Sequence, residues 1–380
     1  MIDRRTLIGS AMSGLAASAF LPGISWAAAP TPKRFVFIIQ RGAADGLHIV
    51  PPLGDPGYAA LRGPMLGALE GASKIDSMFS LHPALARTGQ MFAAKQALAV
   101  HAQASAYRDR SHFDGQNVLE TGGVLAYAEK TGWMNRLIAL LPDADRKALA
   151  FAAEVPMALR GPSDVSSYAP SRLPQANDDM LARVSQLYAG DAELGQLWRS
   201  ALATRAMAGD MAADNARNGA ETGRAVAALM TPADGARLMM IETGGWDTHS
   251  AQVGRLNAQL RSLDQLIGAL VDGLGPVWSE TLVLVATEFG RTAAVNGTQG
   301  TDHGTASAAL LLGGAVRGGR VVADWPGLGA GMLYEQRDLK PTMATEALVT
   351  GALAQHFGID PLQLARALYP AQGALRPIAV

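Results

Sequence analysis

Thr281-Leu282-Val283-Leu284-Val285-Ala286-Thr287-Glu288-Phe289-Gly290-Arg291 decides the fold: an uncharged run gives way abruptly to a carboxylate, a glycine and a guanidinium. So short and continuous an apolar run suits a strand buried on both faces, as in a parallel sheet, and α/β sheets gather ligands beyond their strand ends. Two further stretches share the pattern. Ala236-Arg237-Leu238-Met239-Met240-Ile241 leads into Gly244-Gly245-Trp246-Asp247-Thr248-His249, and Thr301-Asp302-His303-Gly304 stands before Ala308-Ala309-Leu310-Leu311-Leu312. Carboxylates and imidazoles beside glycines that admit close backbone approach point to an oxyanion-handling metal site.

Working outward, Phe35-Val36-Phe37-Ile38-Ile39 reads as a first buried strand, followed by Gln40-Arg41-Gly42-Ala43-Ala44-Asp45-Gly46. Further strands are expected at 97–101, 148–153, 236–242, 281–286, 308–312 and 320–323. Helices are expected at 83–94, from Ser111 to a stop at Gly122-Gly123, at 133–141, at 250–274 and at 342–357. The stretch 178–230, rich in Ala, Met, Gln and Arg, reads as a helical insertion or cap. Strands alternating with helices predict an α/β fold with a mostly parallel, doubly wound sheet, a single domain over residues 30–380.

The whole chain narrows the chemistry. Its 380 residues allow a large core, its net charge of −1 offers no basic field for nucleic acid, and 42 glycines is a high count. The absence of cysteine excludes disulfides, thiolate zinc sites, iron–sulfur clusters and cysteine nucleophiles, leaving imidazole and oxygen ligands for any metal. Residues 1–29 read as an export signal, with Arg4-Arg5 ahead of an uncharged stretch and small residues at Ala27-Ala28-Ala29. A twin-arginine signal, with its export machinery as partner, is the expectation. An ordinary secretory signal or an uncleaved anchor is the alternative. No later segment has an apolar run long enough to span a bilayer.

Asp247 and His249, two residues apart on an extended segment, face one side and suit zinc, manganese or iron, with His303 as a second imidazole and Asp302 beside it. The competing reading makes Asp247 a helix cap and His303 a loop residue. Asp45 and Glu288, each after a strand, repel unless they share a cation; alternatively Asp45 supports its turn and Glu288 pairs with Arg291. Ser111 is the candidate nucleophile at a helix start, with Arg108 and Arg110 to grip an anion and His112 to donate to it. Ser111 with Asp114 also reads as a capping box, and the two uses compete for one hydroxyl. Arg41 offers a further anion contact. His48, His82, His101 and His356 read as packing or capping residues, and the glycines around 313–319 make no phosphate-binding loop.

These motifs, in this order, resemble an exported family, domain-of-unknown-function family 1501, within the alkaline-phosphatase-like superfamily. The likeness runs from Arg4-Arg5 through the first strand and its turn, Ser80-Leu81-His82-Pro83-Ala84-Leu85, Arg110-Ser111-His112-Phe113 and the three clusters to Gly314. It implies an alkaline-phosphatase-like sandwich, a mostly parallel central sheet flanked by helices, in a periplasmic or secreted protein. It also implies one or two divalent ions (zinc, manganese or calcium) and phosphoryl or sulfuryl transfer from a small-molecule or glycan ester. By that likeness Asp45, Asp247, His249, Glu288 and His303 serve the metal and Ser111 is the nucleophile; Asp302, beside His303, is a further candidate from the residues themselves. Where the superfamily pairs an aspartate with a histidine, this chain has Glu288-Phe289, and a phenyl ring cannot ligate. A non-catalytic exported binding or assembly protein with a degraded site is the alternative function.

Overall fold

The computed structural model describes residues 32–169, 178–188, 190–208 and 218–380; the expected export segment lies outside the described residues. A nine-stranded sheet runs through the middle. Its strands in chain order are β1 (Arg34–Gln40), β2 (Ala97–Ala104), β3 (Ala148–Phe151), β4 (Val165–Ser167), β5 (Leu238–Thr243), β6 (Thr281–Ala286), β7 (Ser307–Gly313), β8 (Val321–Val322) and β9 (Met343–Ala344). The spatial order is β8-β2-β7-β6-β1-β5-β3-β4, and β9 also pairs with β2. β7 runs antiparallel to both its neighbours, while the other pairings in this sheet are parallel. The expected mostly parallel α/β sheet is therefore present, with one reversed strand that alternation alone did not reveal.

β1 lies at the centre, between β5 and β6. Its side chains alternate between two cores, as a strand's period of two requires. Val36 and Ile38 pack with α3 (Ala86–Ala93), α8 (Gly219–Met230) and α9 (Gln252–Leu274). Phe35, Phe37 and Ile39 pack on the other side with α5 (Trp133–Leu140), α10 (Thr345–Phe357) and α11 (Pro361–Leu368). All five are at most 1% exposed, and each such side chain contributes about 1.5–3 kcal/mol of burial.

The remaining helices are α1 (Gly46–Ile49), α2 (Pro56–Arg62), α4 (His112–Thr121), α6 (Asp178–Tyr188) and α7 (Ala192–Ala208). The stretch expected as an insertion thus divides. Its last helix, α8, belongs to the layer flanking the sheet, packed so closely that a Cβ on Gly223 would fall 2.3 Å from the Leu266 carbonyl oxygen of α9. Sequence reading also missed α11, an eight-residue helix, and the strands β4 and β9, which are too short to show a period; β9 falls where the expected last helix begins.

Glu346, at the start of α10, is buried; burial pushes its carboxyl up to about 7 from 4.5, against the opposing pull of Arg108. A raised acid pKa means that the folded state binds the proton more tightly, so stability is lost as pH rises from about 4.5 through about 7. Glu346→Gln should therefore match the wild type near pH 4 and exceed it at pH 8 by up to about 3 kcal/mol. Urea unfolding at the two pH values measures this, and an equal gain at both would contradict it.

Candidate metal centre

Five strand termini at one edge of the sheet surround the site. Ile39 of β1 pairs with Glu242 of β5 and Ala286 of β6, so three parallel strands finish at one edge. The segments carrying Asp45, Asp247 with His249, and Glu288 leave from there. Because β7 is reversed, its beginning lies at that same edge, and Asp302 and His303 arrive just ahead of it. β2 ends at Ala104 and feeds the loop that carries Arg108, Arg110 and Ser111 into α4.

Asp247 is the hub. Its Oδ1 lies 3.0 Å from His249 Nε2 and 3.3 Å from His303 Nε2, and its Oδ2 lies 3.5 Å from His112 Nε2. The Nε2 atoms of His249 and His303 are 3.0 Å apart. Each Nδ1 is occupied: His112 by Glu288 Oε1 at 2.8 Å, His249 by Asp302 Oδ1 at 3.0 Å, and His303 by the Arg110 carbonyl at 2.9 Å. Carbonyls and ionised carboxylates only accept, so each Nδ1 carries a proton and each Nε2 is the atom turned inward, free to offer a lone pair to a cation. Lone pairs and a carboxylate converging this closely repel unless a cation lies among them. Single ligand atoms of His112, Asp247 and His303 all fall within 4.8 Å of one another. Three imidazoles and one carboxylate fit a divalent ion such as zinc or manganese.

The surrounding charges favour this arrangement. Burial works against ionising Asp247, but the hydrogen bond and charge of Arg291, then His249 and His112, outweigh it and hold the carboxyl below its ordinary range. Burial likewise opposes the charge on Glu288, and bonds from His112, its own backbone, Gln116 and Gly42 overcome that. The bond to Glu288 raises His112 above the usual imidazole value despite burial. Burial, followed by the nearby His112, lowers His303.

The structure redistributes the roles expected from sequence. His112, expected to donate to a substrate anion, instead faces Asp247 with the other two rings. Glu288 and Asp302, expected as metal ligands, orient His112 and His249; Asn296 steadies Asp302 at 3.1 Å. Asp45 is not brought to the imidazoles: it is 1% exposed and bound by both terminal nitrogens of Arg62. Asp45 and Glu288, expected to share a cation, each have protein partners of their own. The alternative Glu288–Arg291 pair is not formed either, since Arg291 Nη1 donates to Asp247 Oδ1 at 2.8 Å.

Arg108 donates to the carbonyls of Ser105 and Tyr107, and Arg110 pairs with Glu335 and Asp338, so the guanidiniums expected to grip an anion are engaged elsewhere. Arg41 joins Glu242, Glu120 and Gln116. Ser111 holds the N-cap position of α4 in extended geometry, yet its side chain makes no cap hydrogen bond. Its backbone N–H donates to the Tyr107 hydroxyl at 3.1 Å. Asp247 caps no helix; the residue before α9 is Ala251. Phe289 stacks on His112, with ring centres 5.2 Å apart.

Sequence reading missed Arg62, Gln116 and Gln252, and did not foresee that Arg291 pairs with Asp247. Gln116 lies one helical turn after His112 and contacts the same Glu288 oxygen at 3.1 Å, a spacing that pointed to it. Nothing in the sequence around Arg62 or Gln252 marks them.

Asp302→Asn should weaken zinc binding about 10–100-fold by releasing the His249 ring, and His249→Ala should weaken it further. Calorimetric titration measures both, and unchanged affinity in His249→Ala would exclude the ligand set. Gly42 has φ +118°, and a Cβ there would meet the Asp247 backbone nitrogen at 2.6 Å. Gly42→Ala should cost more than about 2 kcal/mol, read by chemical denaturation.

Among solved structures, the chain is similar to the C-terminal periplasmic domain of EcEptC from Escherichia coli in complex with Zn, at 10% identity and a TM-score of 0.34, over 75% of this chain and 74% of that one. It is similar to the phosphonate monoester hydrolase of Agrobacterium radiobacter at 10% identity and a TM-score of 0.38, over 90% and 78%. A third similar structure is Ps i-CgsB in complex with k-i-k-neocarrahexaose, at 9% identity and a TM-score of 0.41, over 89% and 76%. No curated protein matches the chain. The family model described as "Protein of unknown function (DUF1501)" matches residues 32–367, and the chain belongs to that family.

Proposed function

We propose that this protein is an exported, metal-dependent hydrolase of phosphate or sulfate esters. The observation that carries the reading is the convergence of three imidazole Nε2 atoms on Asp247, with Ser111, whose side chain makes no cap hydrogen bond, immediately preceding His112 at the helix start. His112, Asp247, His249 and His303 would hold the ion. A bound divalent cation supplies charge that eases deprotonation of a nearby hydroxyl and offsets charge developing on an ester oxygen.

The chain's own residues do the rest. Ser111 presents its hydroxyl at the head of α4, where free N–H groups and the helix dipole favour an anionic ester. Its oxygen would attack phosphorus or sulfur, giving up its proton to solvent as the ester oxygen leaves as the alcohol, and water then releases phosphate or sulfate from the serine. Arg291 keeps Asp247 ionised, and Glu288 and Asp302 hold two of the rings in the tautomer that faces inward. The Asp247, His249 and Asp302 side chains are 44%, 44% and 49% exposed, so a substrate approaches from open solvent. The Arg4-Arg5 segment supports export through the twin-arginine machinery to the periplasm or beyond. Among the described residues no helix is long and apolar enough to cross a membrane.

A second reading, a non-catalytic binding or assembly protein, is favoured by one observation: Arg108 and Arg110 are engaged away from any anion site. Purified, metal-loaded protein tested on phosphomonoester, phosphodiester and sulfate ester panels separates the two. Turnover that falls about a thousandfold or more in Ser111→Ala is the expected result. Bound metal without turnover on any ester favours the binding protein.

A further inference from the structure

Two carboxylates, Asp45 after β1 and Glu288 after β6, leave adjacent strands at one sheet edge, where their charges need compensation. We propose that the buried Arg62 guanidinium is a built-in cation standing where Asp45 would otherwise call for a second metal ion. The chain then holds one divalent ion, at His112, Asp247, His249 and His303. This inference rests on the metal centre proposed above and settles how many ions it takes.

Arg62 is 0% exposed. Its Nη1 and Nη2 reach the two Asp45 oxygens at 2.6 and 3.0 Å, and Nε and Nη2 also donate to the carbonyls of Ala293 and Thr292 at 2.6 and 2.9 Å. A guanidinium keeps its charge at any pH the fold survives, and its planar fork matches a carboxylate at two points. Gln252 Nε2 takes a third acceptor position on Asp45 at 2.5 Å. At 1% exposure that carboxylate has no open face toward an incoming ion.

Glu288 is equally committed. Its Oε1 accepts from His112, Gln116 and the Gly42 N–H, and its Oε2 accepts from Thr287. The next residue, Phe289, brings a phenyl ring against His112 in place of a donor. Asp45 and Glu288 thus leave no free donor set for a second ion between them.

Asp45 still communicates with the centre. Gln252 Oε1 accepts from Thr301 and Thr248, Thr301 accepts from Arg291 Nε, and Arg291 Nη1 donates to Asp247. An unbroken hydrogen-bonded chain therefore runs from Arg62 to the ligating carboxylate. Asp45 is a positioning residue, two side chains removed from Arg291.

Elemental analysis of the mature protein, saturated with zinc or manganese and freed of excess by gel filtration, tests the count. One ion per chain is expected, lost in His249→Ala. Two tightly held ions overturn the single-ion proposal and leave the metal centre standing, whereas no bound ion overturns the centre itself and this proposal with it. The paired variant Asp45→Asn with Arg62→Met, which removes both buried charges, should still bind one ion at saturating metal, with affinity about 10–100-fold weaker. A folded paired variant that binds no ion at saturation would make Asp45 a ligand and overturn the proposal. Should that variant fail to fold, the wild-type count alone decides.

Discussion

The parallel register of β1 with β5 and β6 is the constraint on which the site depends. Hydrogen-bonded parallel strands in matched register must end at the same edge, so the segments carrying Asp45, Asp247 and Glu288 all leave from that one edge of the sheet. The register is held by β1 side chains buried on both faces, since a one-residue slip would exchange the two cores. Reversal of β7 completes the arrangement. Were β7 parallel, His303, which precedes it, would lie at the opposite edge of the sheet.

Within that frame each charge is answered locally, and the answers separate carboxylates already engaged from the one still open. Asp45 is buried and met by an arginine, so its charge serves the fold. Asp247 is half exposed and met by one arginine nitrogen and three imidazoles, so its charge still has a role to fill. Glu288 and Asp302 spend their charge on fixing ring tautomers. A carboxylate's role here follows from what already touches it, more than from its place in a motif.

The clusters after the apolar runs were legible because strand-end chemistry leaves a local signature of glycine, carboxylate and imidazole. Asp247, His249 and His303 are found together as that signature implied. His112 was legible as a site residue but not as a partner of those three, because its direction depends on Glu288, 176 residues away in the chain. The competition between cap and nucleophile at Ser111 could not be resolved from the Ser-x-x-Asp spacing, since the backbone decides whether the hydroxyl reaches the helix N–H groups. Arg62, the partner of Asp45, lies on a short helix with nothing around it to signal a buried charge.

By itself the sequence determined the class of the fold, the strands that carry chemistry and the exclusion of thiol-based sites, because apolar period and residue type are local properties. Only the tertiary structure decided which acid faces which base. Salt bridges such as Arg62–Asp45 and Arg291–Asp247 join residues from different elements, and their energies depend on distance and burial that no local pattern encodes. The reversal of β7 belongs to the same class. A buried strand is apolar on both faces whichever way it runs, so its direction is set by the neighbours it pairs with.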